Sequence, residues 1–172
     1  MNAEYLILAG VWLGPVKPNM KMILKPIIQR INEINIPLHE GRNLRAKLLL
    51  GVFDLPAKAM ALNCTQFNGQ YGCPHCLDKG TFMLHRRLYL PNDSHKPRKM
   101  KKMLKWSKKA SKKGEPIYGV KGSSVLTPHI DLVKSVPVNY MHAVLEGVTK
   151  SLFNCWFDSK HYKEKFLPWS ED

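Results

Sequence analysis

The apolar residues change period several times along the chain. Tyr5–Trp12 is a short continuous apolar run closed by Gly14 and Pro15, which predicts a strand covered on both faces. Beyond it, Met20, Ile23, Leu24, Ile27, Ile28, Ile31 and Ile34 recur at three- and four-residue spacing, the stripe of an amphipathic helix. Pro26 removes a backbone donor and is expected to split or kink it, the longer half running from about Pro26 to Asn35. Pro37–Asn43 is polar and breaker-rich, hence a loop.

Arg45–Phe53 predicts a second strand, although by propensity alone it would also extend a helix. Asp54-Leu55-Pro56 favours the strand, because Asp ahead of an early Pro marks the start of a new helix, here expected over Pro56–Gln66. Near the end, Met141, Val144, Leu145, Val148, Leu152, Phe153 and Trp156 define one face of a further helix. His142 and Glu146, four apart, share a face beside that stripe and form a surface pair or a ligand pair.

The order strand-helix-strand-helix gives an α/β fold class. Asp54 falls at the carboxyl end of an inner strand, where open α/β sheets place functional groups. The same residue suits a helix N-cap, and both readings stand.

With 172 residues and 44% apolar content, the chain has enough material for one domain with a core. The N-terminal apolar run follows Glu4 and lacks a basic leader and a small-residue cleavage site, so it does not read as a signal peptide. No stretch reaches the roughly 18 to 20 apolar residues of a transmembrane helix. The expected location is nuclear or cytoplasmic. The four cysteines, Cys64, Cys73, Cys76 and Cys155, suit a reduced compartment, since a chain of this size does not depend on disulfide staples. Cys73-Pro74-His75-Cys76 follows a Gly-rich turn and sets two thiols to reach one ion, half of a tetrahedral Zn²⁺ site. His75, His85, His129 and His142 are unspaced partners for it. A redox pair normally opens a helix after a strand, which makes it the runner-up to zinc; unliganded thiols are the third reading.

A formal charge of +14 calls for a polyanionic partner, DNA before an anionic membrane. Most of the excess lies in one segment. Arg86, Arg87, Arg98, Lys99, Lys101, Lys102, Lys105, Lys108, Lys109, Lys112 and Lys113 are the candidate nucleic-acid contacts, joined by Lys96 and Lys121 and opposed by Asp93 and Glu115. Met100, Met103, Leu104 and Trp106 interleave with the lysines and make a basic amphipathic helix there, or else the segment is a solvated, open insertion. Contacts of this kind are indifferent to base sequence and weakened by salt.

Three stretches together, VFDLPAKAMALNCTQFNGQYGCPHCLDKG, VKGSSVL and VPVNYMHAVLEGVTKSLFNCWF, resemble the transposases of the En/Spm (CACTA) group, in particular its animal members; the opening ILAGVWLGPVKPNM joins them. The resemblance implies a DDE-type enzyme with an RNase H-like core, in which acidic residues hold two Mg²⁺ or Mn²⁺ ions about 4 Å apart. Asp54 matches its second acid, a catalytic metal ligand, while Cys73 and Cys76 match half of a zinc-binding insertion. The first acid, the final Glu and the His pair completing the zinc site have no counterpart in this sequence, and His142 and Glu146 do not fill those places. Asn139 stands where many relatives have Asp before Tyr-Met-His.

The expected organisation is therefore a partial RNase H-like core over 1–72, a CxxC knuckle and basic insertion over 73–137, and a C-terminal helical segment over 138–172. The expected function is that of a fragment or remnant of a DNA transposase, nucleic-acid binding and unable to catalyse strand transfer alone, which associates with itself or with missing transposase segments. The alternative is a small zinc-stabilised interaction module with a basic protein- or membrane-binding surface.

Overall fold

The computed structural model describes residues 7–83, 85–90 and 96–157. Within these the chain mixes helices with two small antiparallel sheets. Helix α1 spans Met20–Glu33, and the Asn19 side chain caps it by accepting from the Lys21 N–H at 2.9 Å. A ribbon of β1 (Asn35–Pro37) and β2 (Asn43–Arg45) follows, paired Ile36 to Leu44. Helix α2 (Leu55–Ala61) leads into the cysteine turn, then into a second ribbon of β3 (Thr81–Met83) and β4 (Arg86–Leu88). Helix α3 spans Met100–Lys113. A π-helical segment, Met141–Thr149, runs directly into α4, Lys150–Phe157.

The core is formed by Ile28 of α1, Ala61 and Leu62 at the end of α2, Met103 and Trp106 of α3, and Val120, Leu126, Ile130, Leu132 and Val136. The last five come from a turn-rich stretch without long regular structure. Ser124 holds that stretch to α2, its Oγ donating to the Ala61 carbonyl at 2.6 Å.

Several expectations are corrected. Helix α1 continues through Pro26. The carbonyl left without its donor belongs to Met22; both residues lie on the exposed side, where water can take the vacant bond. Ile7–Trp12 forms no strand and is exposed, while Tyr5 and Leu6 lie outside the described residues. Arg45–Phe53 is not a continuous strand either. Only Arg45 belongs to β2, and Phe53 makes an isolated parallel bridge to Val138, with the Gly51 N–H donating to the Ser135 carbonyl at 3.0 Å. Leu49, Leu50 and Val52 remain exposed, because no neighbouring strand among the described residues covers them. The C-terminal helix forms as expected, yet none of its described residues is buried. His142 and Glu146 are an exposed pair at 4.0 Å, the surface reading of that spacing. The closing residues 158–172 lie outside the description. No helix among the described residues is long and apolar enough to cross a membrane.

Candidate nucleic-acid interface and cysteine turn

Helix α3 forms because its apolar residues return on one side. Met103, Trp106, Ser107 and Ala110 are buried, and Gly114 ends the helix at a φ of 72°, its N–H returning to the Ala110 carbonyl. The seven lysines of the helix, Lys101, Lys102, Lys105, Lys108, Lys109, Lys112 and Lys113, are all exposed. At 3.6 residues per turn they occupy an arc of about 140° opposite the buried side and extend about 18 Å along the axis. The helix contains no acidic residue, and among the described residues its one ion pair is Lys113 with Glu115 at 3.7 Å, both exposed. The basic amphipathic helix is thus the form the segment takes, and its charged face is open to a polyanion.

The other basic candidates divide. Lys99 and Arg86 are exposed at the start of α3 and on β4. Arg87 is half-buried; its Nη1 donates to the Gly80 carbonyl at 2.8 Å, and its guanidinium lies 6.0 Å from the centre of the Phe82 ring. Arg98 departs from the sequence reading. It is buried, with Nε donating to the Cys73 carbonyl at 2.8 Å, Nη2 to Tyr71 at 2.6 Å and Nη1 to Tyr118 at 3.0 Å. A guanidinium committed to three carbonyls is a clamp between the cysteine turn and the 117–120 hairpin rather than a phosphate contact.

Gly72 opens the cysteine turn, with its N–H donating to the Tyr89 hydroxyl at 2.8 Å, and that hydroxyl donates onward to the Gly69 carbonyl. A Cβ at Gly72 would lie 2.1 Å from the Gln66 carbonyl oxygen, so only glycine fits. Inside the turn the Cys76 N–H donates to Cys73 Sγ at 3.3 Å, which ties the two cysteines together. Residues 96–98 hold its far side, where the Arg98 N–H donates to the His75 carbonyl and the Leu77 N–H to Lys96.

His75 faces Lys58 of α2. Its Nε2 is 3.2 Å from Nζ of Lys58, and that buried ammonium also donates to the Pro137 carbonyl. Burial lowers the pKa of both groups, and the nearby Lys58 and Arg98 charges lower His75 further. Asp54 serves as the N-cap of α2, its Oδ1 accepting from the Ala57 N–H at 2.6 Å. Among the described residues no three His, Cys, Asp or Glu side chains gather where they could hold a metal ion. Cys73 and Cys76 thus have no third such side chain gathered with them among the described residues, and Asp54 is not brought to them.

Cys64 is a different kind of thiol. Burial pushes it from 9.0 up to about 11, with the Arg98 and Lys121 charges offsetting only part of that. A thiol raised on folding contributes stability below its unfolded value that is lost as pH rises through the folded one. The protein is therefore expected to lose about 2 kcal/mol from this group between pH 9 and 11. Urea unfolding across that range checks it, because Cys64→Ala should show a correspondingly flatter profile.

Lys58, Tyr89 and Tyr118 were not singled out by sequence reasoning. Nothing in their spacing marks them, since their roles depend on partners in other parts of the chain. No family model, curated protein or solved structure matches this chain.

Proposed function

We propose that the chain is a DNA-binding fragment or remnant of a DDE-type transposase of the En/Spm (CACTA) group, without strand-transfer activity of its own. The observation that carries the DNA part is the α3 face, seven exposed lysines on a core-anchored helix with no acid among them. Such a surface fits a phosphate backbone and carries no base-specific geometry. The transposase part rests on the sequence resemblance. Asp54 would be one metal ligand of a complete enzyme; here its carboxylate caps α2. Other transposase segments or a second copy would cover the exposed apolar side of Met141–Phe157.

Labelled DNA followed by fluorescence anisotropy tests this reading. Affinity should fall steeply as salt is raised, and the DNA should stay uncut in Mg²⁺. An affinity indifferent to salt contradicts the electrostatic account, and cleavage abolished by Asp54→Ala contradicts the remnant account.

Cys73 and Cys76 would hold Zn²⁺ as half of its donor set, tying the turn together. Purified protein is then expected to contain zinc, and Cys73→Ser to lower both the zinc content and the melting temperature. Zinc-free protein whose melting is unchanged by the substitution refutes the site.

A further inference from the structure

Tyr118 occupies a position that local rules give to another residue. Ile117 and Val120 exchange two backbone hydrogen bonds of 2.9 and 3.0 Å, closing a two-residue hairpin loop of Tyr118 and Gly119. Both loop residues have positive φ, 48° and 77°, as in a type I′ turn. Such turns favour Asn, Asp or Gly, because a larger side chain crowds its own backbone there. Strain of this kind persists where surrounding structure enforces it, and it concentrates at functional positions.

Two contacts enforce it. Arg98 donates to the Tyr118 carbonyl, and the ring rests against Trp106, centre to centre 4.9 Å, with Tyr71 meeting it edge-on at 5.3 Å. Even so, Tyr118 keeps 47% of its surface exposed. A tyrosine serving only to fill the core would be covered, whereas this one is braced by two aromatic rings and still keeps nearly half of its surface in solvent. Its position relative to the charges matters equally. Trp106 lies one helical turn from Lys102 and from Lys109, and two turns from Lys113. Trp106, against which the ring leans, therefore stands at the border of the lysine face.

We propose that Tyr118 is a base-stacking platform, and that the α3 surface engages single-stranded DNA, with the lysines following the phosphates and the ring taking one unpaired base. The inference deepens the DNA-binding reading and rests on it. Positive grooves bordered by aromatic rings bind single strands in this way, because every unpaired base has a flat face to stack. In an intact duplex the bases are stacked on one another, so the ring adds nothing to duplex binding.

The test compares a labelled single-stranded oligonucleotide with a duplex of the same length, binding to wild type, Tyr118→Phe and Tyr118→Asn. Asparagine suits the turn and removes the ring. Tyr118→Phe should bind both forms as wild type does. Tyr118→Asn should lose roughly 5- to 100-fold in single-strand affinity and less than about twofold on duplex. Equal losses on both forms, or none on either, overturn the proposal. Photocrosslinking of an iodouracil-substituted single strand to wild-type protein gives a readout independent of any variant's folding. The crosslink should map to Tyr118, and a crosslinked complex lacking that adduct overturns the stacking role. Salt-sensitive duplex binding without the adduct would sink this inference alone; the absence of salt-sensitive binding to any DNA would sink the reading beneath it.

Discussion

Replacing Lys101, Lys105, Lys108 and Lys112 together by glutamine lowers DNA affinity roughly 4 × 10³-fold at 0.1 M salt, because each phosphate left unneutralised forfeits about 0.9 of a decade per decade of salt below 1 M. These four lie along the middle of the exposed face and are not found in ion pairs among the described residues. The variant should melt no lower than wild type. Lys101 with Lys105 and Lys108 with Lys112 are like charges four residues apart, and such pairs cost a helix a few tenths of a kcal/mol each. A face selected for folding alone would not collect them. Weakened binding with retained stability is thus the combination expected of a binding surface, read by anisotropy and thermal melting on the same preparation. Weakened binding with a collapsed melting temperature would mean that the lysines support the fold instead.

Arg98→Ala has the opposite signature, a loss of about 3–5 kcal/mol in stability, or a melting temperature lower by roughly 10 °C. Removing the guanidinium strips the donor from the carbonyls of Tyr71, Cys73 and Tyr118 at once, and buried acceptors left unpaired are costly. Lysine is not an adequate replacement, since a single ammonium cannot reproduce the planar fork that reaches three carbonyls. The damage should centre on the cysteine turn and the 117–120 hairpin, where hydrogen exchange would show reduced protection. An Arg98→Ala protein that melts as wild type does, but binds DNA weakly, would return this arginine to the phosphate-contacting set.

The helices were the legible part of this chain, because their signals are local. The isoleucine spacing marks α1 and its buried Ile28, Asp54 with Pro56 marks the start of α2, and the interleaved Met103 and Trp106 mark the buried side of α3. The strands were not legible. An apolar run such as Ile7–Trp12 or Arg45–Phe53 becomes a strand only where another strand pairs with it, and that partner cannot be read from the run itself. Within the candidate site, composition identified the lysines as a group but could not separate Arg98 from them. Its burial is decided by three carbonyls, the farthest in sequence being that of Tyr71, 27 residues upstream. The Cys73–Cys76 pair was visible as spacing, whereas the engagement of His75 by Lys58 was not, since a buried lysine in a short helix has no sequence signature.

The most direct test of the lysine face as a phosphate-binding surface is the slope of log K against log salt concentration for wild-type protein on one defined DNA. If four to seven of the α3 lysines contact phosphates, the slope on duplex lies between about −3.6 and −6.3. It should become shallower by about 0.9 for each contacting lysine converted to glutamine. A slope near zero, or a steep slope left unchanged by those substitutions, would contradict the account.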